Sequence, residues 1–346
     1  MGTSHQHEGD VIRDAVEWFR AHVELRESTS AEALYERMES QAAWGLPVIY
    51  LPFDGGNRGH FRDRAQIIDY AVVCGPGRVL DFGPGDGWPS LPMAPMVEEV
   101  IGVDGSPRRV EVCAANAKRM GLGNAQFVHV PPGEPLPFED ESFDGVAAAS
   151  SVEQTPDVRA TLAEMFRVLK PGGRLRMHYE SLSYYAGGRE RQLDVGVVGD
   201  TGDLMIHDRH LEEEYVDHYV LTFDLSEDEV VAIFARHDQD PPNATVAVLA
   251  DLKPHIAGAA TWRGQHPSCR SWMRLLREAG FSAAVPTYDG GWFAKRLFDR
   301  LPEAERPRDL AAADEVLRPL VEVVAGMEAP PTAPPREWEP CITATK

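Results

Sequence analysis

Apolar positions in the N-terminal region recur with a helical period. The residues that repeat every four positions are Val11, Ala15, Phe19 and Val23. This spacing places them on one face of a helix. Thr29 and Glu32 then have capping-box spacing ahead of a second apolar run that contains Leu34. Together with the Gly- and Pro-rich stretch 44–59, the pattern predicts that residues 1–60 form a helical cap or lid.

From residue 61 onward, predicted helices alternate with short apolar strands. The predicted strands are 78–82, 99–103, 127–130, 145–149 and 174–178. Predicted helices lie at 61–74, at 107–120 and after the fourth strand, where Gly172 and Gly173 follow the last helical residues. Such alternation is typical of βαβ units and of a parallel sheet with helices on both faces. It predicts a core over residues 61–187.

The alternation stops at residues 188–265. This segment has strand patterns at 204–207 and 219–223, and a short helix that Ser226 and Glu229 would cap. We predict an α+β insertion after the fifth strand, which serves as a substrate lid.

The pattern of the core returns after the insertion. Residues 266–300 are predicted to complete the core with a helix around Trp272 and a hairpin of strands 281–286 and 292–297. Residues 301–346 are predicted to form a C-terminal helix (309–327) and a Pro-rich tail, disordered or held on a surface. The fold class is therefore α/β, with a Rossmann-like, mostly parallel seven-stranded sheet.

Charge and cysteine usage narrow the choice of partners. The 346 residues include 34 Lys and Arg against 55 Asp and Glu, a formal charge of −21. Such a surface repels nucleic acids and anionic membranes, so neither is an expected partner. The four cysteines are scattered, and we find neither a signal peptide nor a long apolar run. These features predict a cytoplasmic location and leave the oligomeric state open, a homodimer included.

The first candidate ligand-binding feature is a glycine-rich turn at the end of the first core strand. Gly83, Gly85 and Gly87 alternate there, and Asp81 precedes them by two positions. Glycines let the chain bend sharply and let a ligand approach the backbone. The spacing is GxGxG rather than the GxGxxG of dinucleotide sites. The acid suits a ligand with an ammonium group better than one with a pyrophosphate. A tight connection without a ligand is the alternative.

The second feature is an acid at the end of the next strand. Asp104 lies 17 positions after Gly87, one βαβ unit beyond the turn. A carboxylate at this place in the fold can accept the two hydroxyls of a ribose. Taken alone, an acid at a strand end is more often a turn or N-cap residue.

Several stretches of the chain resemble one family in their order and spacing. They are VLDFGPGDG (79–87), VIGVDGS (100–106), LPFEDESFDGV (136–146), SSVEQTPD (150–157), EMFRVLKPGGRL (164–175) and LLREAGF (275–281). Together they resemble the core of class I S-adenosylmethionine-dependent methyltransferases, in the group that includes the ubiquinone and menaquinone methyltransferases. The resemblance implies a Rossmann-like fold and S-adenosyl-L-methionine as cofactor.

The resemblance also implies roles for individual residues. The residues it assigns to the cofactor are Asp81, Gly83, Pro84, Gly85 and Gly87 around the methionine end, Asp104 and Gly105 at the ribose, Gly133 and Glu134 beside the adenine, and Ser150 near the acceptor. Two features depart from the family. Pro132 stands where an acid often receives the adenine amino group, and three prolines in 88–96 predict a short or late helix after the turn.

Catalytic groups are expected at the carboxyl ends of the strands. Methyl transfer is an in-line displacement that needs alignment and, for a protonated acceptor, a general base. We predict His178 and Glu180 as catalytic residues, because two residues apart on a strand they would project to the same side. Ser151 and Glu153, past the fourth strand, are further candidates. An ordinary hydrogen-bonded histidine is the alternative for His178.

The insertion also contains candidate metal ligands. His207, Asp208 and His210 offer ligand types that suit iron or zinc. Residues 207 and 208 would point to opposite faces of a strand, however, and the neighbouring acids 212–214 indicate a solvated segment. The sequence therefore predicts no metal.

These features predict a methyltransferase that acts on a small-molecule acceptor in an enclosed pocket. The rival hypothesis is a non-catalytic scaffold that binds the cofactor or its product and acts as a partner or regulatory subunit. A third keeps the cofactor but transfers another group from it. The sequence identifies neither the acceptor nor the atom that is methylated.

Overall fold

The computed structural model describes residues 2–29, 33, 53–182, 191–198, 201–241, 243–332 and 341–346. They divide into two compact units. The smaller comprises the described residues of 1–41 and 181–268, and the larger those of 42–180, 269–333 and 337–346.

The larger unit is built on a seven-stranded sheet. Its strands are β2 (Arg78–Phe82), β3 (Glu99–Asp104), β4 (Ala125–His129), β5 (Phe143–Ala149), β6 (Leu169–His178), β11 (Ala283–Pro286) and β12 (Cys341–Thr345). Their order is β11-β12-β6-β5-β2-β3-β4, and the pairs from β6 to β4 are parallel. The predicted Rossmann-like, mostly parallel seven-stranded sheet is confirmed, and the predicted core strands match within two or three residues, apart from the start of β6, which lies at Leu169.

Helices cover both faces of this sheet. They are α2 (Arg58–Cys74), α3 (Ser90–Met93), α4 (Pro107–Met120), α5 (Val158–Val168), α8 (Cys269–Glu278), α9 (Gly290–Phe298) and α10 (Leu310–Val324). Neighbouring strand residues belong to different apolar clusters, because successive side chains point to opposite faces. Leu80 joins the cluster under Trp272 of α8, whereas Val79 joins the cluster under Tyr70 of α2.

The prediction of a disordered or surface-bound C-terminal tail is wrong for its last residues. Residues 341–345 form β12, which pairs antiparallel with both β6 and β11 inside the sheet. The alternation of Ile342 and Ala344, both fully buried, with threonines is a strand pattern that the preceding prolines obscured. Residues 333–340 of the Pro-rich segment lie outside the described residues.

The predicted hairpin around 289–291 is also wrong. Residues 292–297 belong to α9, and β11 pairs with β12 instead. Asp289 is the N-cap of α9, where its side chain accepts a hydrogen bond from the Gly291 amide at 2.6 Å. The Asp-Gly-Gly sequence thus begins a helix rather than turning a hairpin.

The smaller unit holds a second sheet of five strands. They are β1 (Arg26–Glu27), β7 (Arg191–Val198), β8 (Thr201–His210), β9 (Tyr215–Phe223) and β10 (Ile256–Gln265), in the order β1-β10-β9-β8-β7. Its helices are α1 (Gly2–His22), α6 (Glu227–Arg236) and α7 (Val246–Leu252). The predicted capping box of Ser226 and Glu229 is present at the start of α6. Phe19 of α1 packs in one apolar cluster with Leu221 of β9.

The N-terminal helix and the segment after β6 therefore form one folded unit. The lid role of residues 188–265 and of the N-terminal cap stays a prediction, and Leu34 and the stretch 44–52 lie outside the described residues. Among the described helices, none has the length and apolar character needed to cross a membrane.

Candidate functional site

A tight glycine turn at the carboxyl end of β2 forms the centre of the site. The Gly83 amide donates to the carbonyl of Val103 at 2.8 Å, so the turn lies directly against the end of β3. Gly83 has φ +76, and a Cβ there would lie 2.5 Å from the Cβ of Ser151. Only glycine allows this approach. At Gly85 (φ +58), a Cβ would meet no atom of the described residues within 4 Å, so these residues leave space beside the turn.

Two more residues of the predicted site shape this turn. The Gly87 amide donates to the Pro84 carbonyl at 2.8 Å and closes the turn. Pro84 lies over Gly102 of β3, where a Cβ would come within 3.0 Å of its ring. The helix that follows, α3, spans only Ser90–Met93, as its prolines predicted.

Asp104 is the last residue of β3 and lies beside the turn. One carboxylate oxygen accepts from the Gly85 amide at 3.2 Å, and the other accepts from the Ser106 amide at 2.9 Å. The structure therefore brings Asp104 and the glycine turn together, as the sequence predicted. His129, which the sequence analysis missed, lies with its Nε2 3.1 Å from the Gly105 carbonyl at the same edge.

Asp81 lies buried beneath the turn. Its Oδ2 accepts from the Ser90 amide at 3.0 Å and from the Ser90 hydroxyl. Its Oδ1 has no hydrogen-bond partner among the described residues. Burial raises the pKa of the Asp81 carboxyl to about 7, against the opposing effect of the two Ser90 hydrogen bonds. An orphaned carboxylate oxygen at this place suits a cationic ligand group.

The raised pKa of Asp81 makes stability depend on pH. Between about pH 4 and pH 7, the Asp81 carboxyl keeps its proton in the folded protein but loses it in the unfolded chain. Its contribution to the free energy of unfolding therefore decreases as pH rises through this range. We expect Asp81→Asn, which keeps an oxygen for Ser90, to reduce that slope by about 1.4 kcal/mol per pH unit. Denaturant unfolding of the cofactor-free protein at pH 5, 6 and 7 measures the slope. An unchanged slope in the variant would contradict the assignment.

The residues predicted beside the adenine lie in the loop after β4. The Val130 amide donates to the Asp104 carbonyl at 3.0 Å, which places the start of this loop next to the ribose candidate. Gly133 and Glu134 are both exposed, and the Glu134 amide donates to the Pro131 carbonyl at 3.1 Å. Their contact with adenine stays a prediction.

The segment after β5 lies at the same edge of the sheet. Ser150 is exposed with φ +50, and its amide donates to the His178 carbonyl at 2.9 Å. Ser151 contacts the glycine turn, and its hydroxyl donates to the Phe82 carbonyl at 2.5 Å. The loop after β5 therefore lies against the turn that is predicted to hold the methionine end.

Glu153 is a buried carboxyl in this segment. Its Oε1 accepts from the Glu180 amide at 2.8 Å, and its Oε2 has no hydrogen-bond partner among the described residues. Burial raises the pKa of Glu153 to about 7, although backbone hydrogen bonds oppose the shift. A carboxyl that titrates near neutrality can take up and release protons, which is the property of a general base.

His178 lies at the end of β6 among buried polar groups. Its Nδ1 is 2.6 Å from the Tyr70 hydroxyl, and its Nε2 is 3.8 Å from an Asp289 oxygen. Burial alone would lower the pKa of His178, but Cys341, Tyr70 and Asp289 outweigh it and raise the pKa well above its usual value.

Glu180 is placed differently from His178. β6 ends at His178, so the strand alternation that would align the two side chains does not extend to Glu180. The Glu180 backbone amide is the partner of Glu153, and its side chain is half-buried. A catalytic role for either residue stays a prediction.

The histidines that the sequence offers as metal ligands in the insertion lie beside other polar side chains. His207 Nδ1 is 2.9 Å from His218 Nδ1, and His210 Nε2 lies 3.7 Å from an Asp217 oxygen. His207 and Asp208 are successive residues of β8.

The geometry of the sheet and its turn is typical of one class of protein core. A parallel sheet with a glycine turn after one strand and an acid at the end of the next is the arrangement of Rossmann-like cores that bind nucleosides. A sequence profile described as "Methyltransferase domain" matches residues 80–177. Residues 80–177 therefore match a methyltransferase domain, in agreement with the resemblance to class I S-adenosylmethionine-dependent methyltransferases, whose cofactor is S-adenosyl-L-methionine.

Individual relatives agree with this assignment. The chain is 40% identical over 119 residues to the uncharacterized methyltransferase YcgJ of Bacillus subtilis, covering 34% of this chain and 47% of YcgJ. It is 35% identical over 124 residues to the ubiquinone/menaquinone biosynthesis C-methyltransferase UbiE of Geotalea daltonii, covering 35% and 52%. The chain thus spans about half the length of these relatives.

The chain is also similar to a solved structure. An S-adenosylmethionine-dependent methyltransferase from Clostridium acetobutylicum superimposes with a TM-score of 0.48 and 10% identity, covering 82% of this chain and 90% of that one.

Proposed function

We propose that this protein transfers the methyl group of S-adenosylmethionine to a small-molecule acceptor. One observation carries the proposal: two acidic side chains flank the glycine turn, beside which the described residues leave space. Asp104 contacts the turn through the Gly85 amide, and one oxygen of Asp81, beneath the turn, has no partner in the described part of the chain. Carboxylates at these places match the ribose hydroxyls and the cationic methionine end of the cofactor.

The chemistry requires few groups. An acceptor atom attacks the methyl carbon, the carbon–sulfur bond breaks, and S-adenosylhomocysteine leaves with the electron pair. An acceptor that carries a proton must give it to a base within hydrogen-bond reach. Glu153 is better suited to that role than His178, because burial raises the pKa of Glu153 to about 7. The pKa of His178 is raised well above its usual value, which favours the protonated ring, and that form cannot accept a proton.

Two observations support a small-molecule acceptor. UbiE is named for quinone biosynthesis, and the strongly acidic composition of this chain disfavours nucleic acid. The four cysteines are free and buried, which supports a reducing compartment such as the cytoplasm.

Cofactor binding gives the first test. We expect calorimetry to detect binding of S-adenosylmethionine and S-adenosylhomocysteine but not NAD. Asp104→Asn should weaken binding by about 1–3 kcal/mol, because an amide cannot accept as many hydrogen bonds as a carboxylate. Asp140→Asn, at a largely exposed carboxylate, serves as the control. Tight NAD binding without a response to S-adenosylmethionine would contradict the proposal.

Methyl transfer itself needs a second test. The protein is incubated with methyl-labelled cofactor and fractions of a metabolite extract, and label is sought in small molecules. Transfer to one compound supports the enzyme. Tight cofactor binding with no labelled product in any fraction would favour the non-catalytic scaffold.

A further inference from the structure

Three side chains from distant parts of the larger unit meet beneath the carboxyl edge of the sheet. They are Asp69 of α2, His178 at the end of β6 and Cys341 at the start of β12. One ligand atom from each lies within 4.8 Å of the others. His178 and Cys341 are directly opposed in the antiparallel pair of β6 and β12, so the sheet register itself brings them together.

Two of these side chains have a buried atom without a partner. Asp69 Oδ1 and His178 Nε2 make no hydrogen bond among the described residues. Buried polar atoms are nearly always paired, so two orphaned atoms in the side chains of one cluster need an explanation.

The remaining atoms of the same two side chains are firmly held. Asp69 Oδ2 lies 2.6 Å from the Arg176 guanidinium, and His178 Nδ1 lies 2.6 Å from the Tyr70 hydroxyl. Metal ligands in proteins typically have this arrangement, in which outer partners orient the carboxylate and the imidazole while the facing atoms are left for the ion.

We propose that Asp69, His178 and Cys341 form a binding site for a thiolate-preferring divalent cation of the Zn²⁺ type. Imidazole, carboxylate and thiolate are the ligand types that zinc takes in proteins, whereas magnesium and calcium prefer oxygen alone. A water molecule completes a tetrahedral set. Binding releases the thiol proton of Cys341 and the Nε2 proton of the His178 imidazolium to solvent, because the thiolate and the neutral imidazole are the forms that coordinate.

The nearby arginine does not prevent this. Arg176 is held by Asp69 and also donates to Thr343 at 2.8 Å and to the Tyr288 carbonyl at 3.0 Å. Asp289, 3.8 Å from His178, supplies a second buried carboxylate. With the dication bound, Asp69, Asp289 and the Cys341 thiolate balance the ion and the guanidinium.

The site links three separate elements. It joins β12 to β6 and to α2, so an ion there fastens the C-terminal strand into the sheet. Because the ligands are brought together only by folding, the ion stabilises the folded chain by mass action.

The test uses the full-length protein stripped with a chelator and titrated with Co²⁺ as a spectroscopic probe. We expect a thiolate-to-cobalt charge-transfer band that saturates near one equivalent, and a rise in Tm when Zn²⁺ is added instead. Cys341→Ser should remove the band. Cys269→Ser, which changes another buried thiol that forms no disulfide, should keep the band. No band in the natural protein, or a band that survives Cys341→Ser, overturns the site.

A second measurement needs no variant. Zn²⁺ should slow alkylation of Cys341 by a maleimide at least tenfold while leaving Cys269 unchanged, as read from peptide masses at low denaturant. Equal alkylation of Cys341 with and without Zn²⁺ would show that the ion does not bind at this thiol, and would overturn the site.

Discussion

Arg176→Met is expected to lower the free energy of unfolding by about 3–5 kcal/mol, because it leaves a buried carboxylate without its countercharge. Arg176 and Asp69 are both fully buried, and the guanidinium lies 2.6 Å from the carboxylate. Two threonine hydroxyls and the Tyr288 carbonyl would also lose their donor. Urea unfolding followed by circular dichroism measures the loss.

A matched arginine gives the control. Arg58 pairs with Asp299 at 2.8 Å, but both side chains are about half exposed. Arg58→Met should therefore change stability far less than Arg176→Met, since solvent screens the exposed pair. Similar losses in the two variants would show that burial does not govern the contribution of the Asp69 pair.

Glu153→Gln is expected to lower the turnover number by about 10²–10⁴-fold while cofactor affinity stays nearly constant. The substitution keeps the shape of the side chain and an oxygen for the Glu180 amide but removes the proton acceptor. Rates are measured with the acceptor found by methyl labelling, and affinity by calorimetry. Glu180→Gln and His178→Asn are measured beside it.

The three variants separate the possible bases. A large loss confined to turnover in Glu153→Gln assigns the base to Glu153. Full activity in Glu153→Gln together with a loss in Glu180→Gln or His178→Asn would return the assignment to the residues that the sequence predicted.

The parallel core could be predicted from sequence because its signals are local. The strand that ends in Asp81 and Phe82, the glycine turn and Asp104 all lie within one βαβ unit. Their relative positions follow from the geometry of that unit, and the contact between Asp104 and the Gly85 amide agrees with it.

The features that the sequence did not predict depend on distant residues. Residues 292–297 form a short segment with apolar residues at both ends, which suits a strand or a helix, and the N-cap at Asp289 favours the helix. The cluster of Asp69, His178 and Cys341 exists only after α2, β6 and β12 have met. Likewise, the raised pKa of Glu153 comes from burial, which the local sequence does not reveal.

The position of β12 also has a consequence for the order of assembly. This strand follows all the others in the sequence yet lies between β6 and β11, and its Thr343 meets Arg176 across 167 positions. During synthesis, β6 must present an open edge until β12 emerges, because no earlier strand fills that place. Contacts of such long range form slowly, so the unfilled edge is the part of the nascent chain most exposed to wrong pairing.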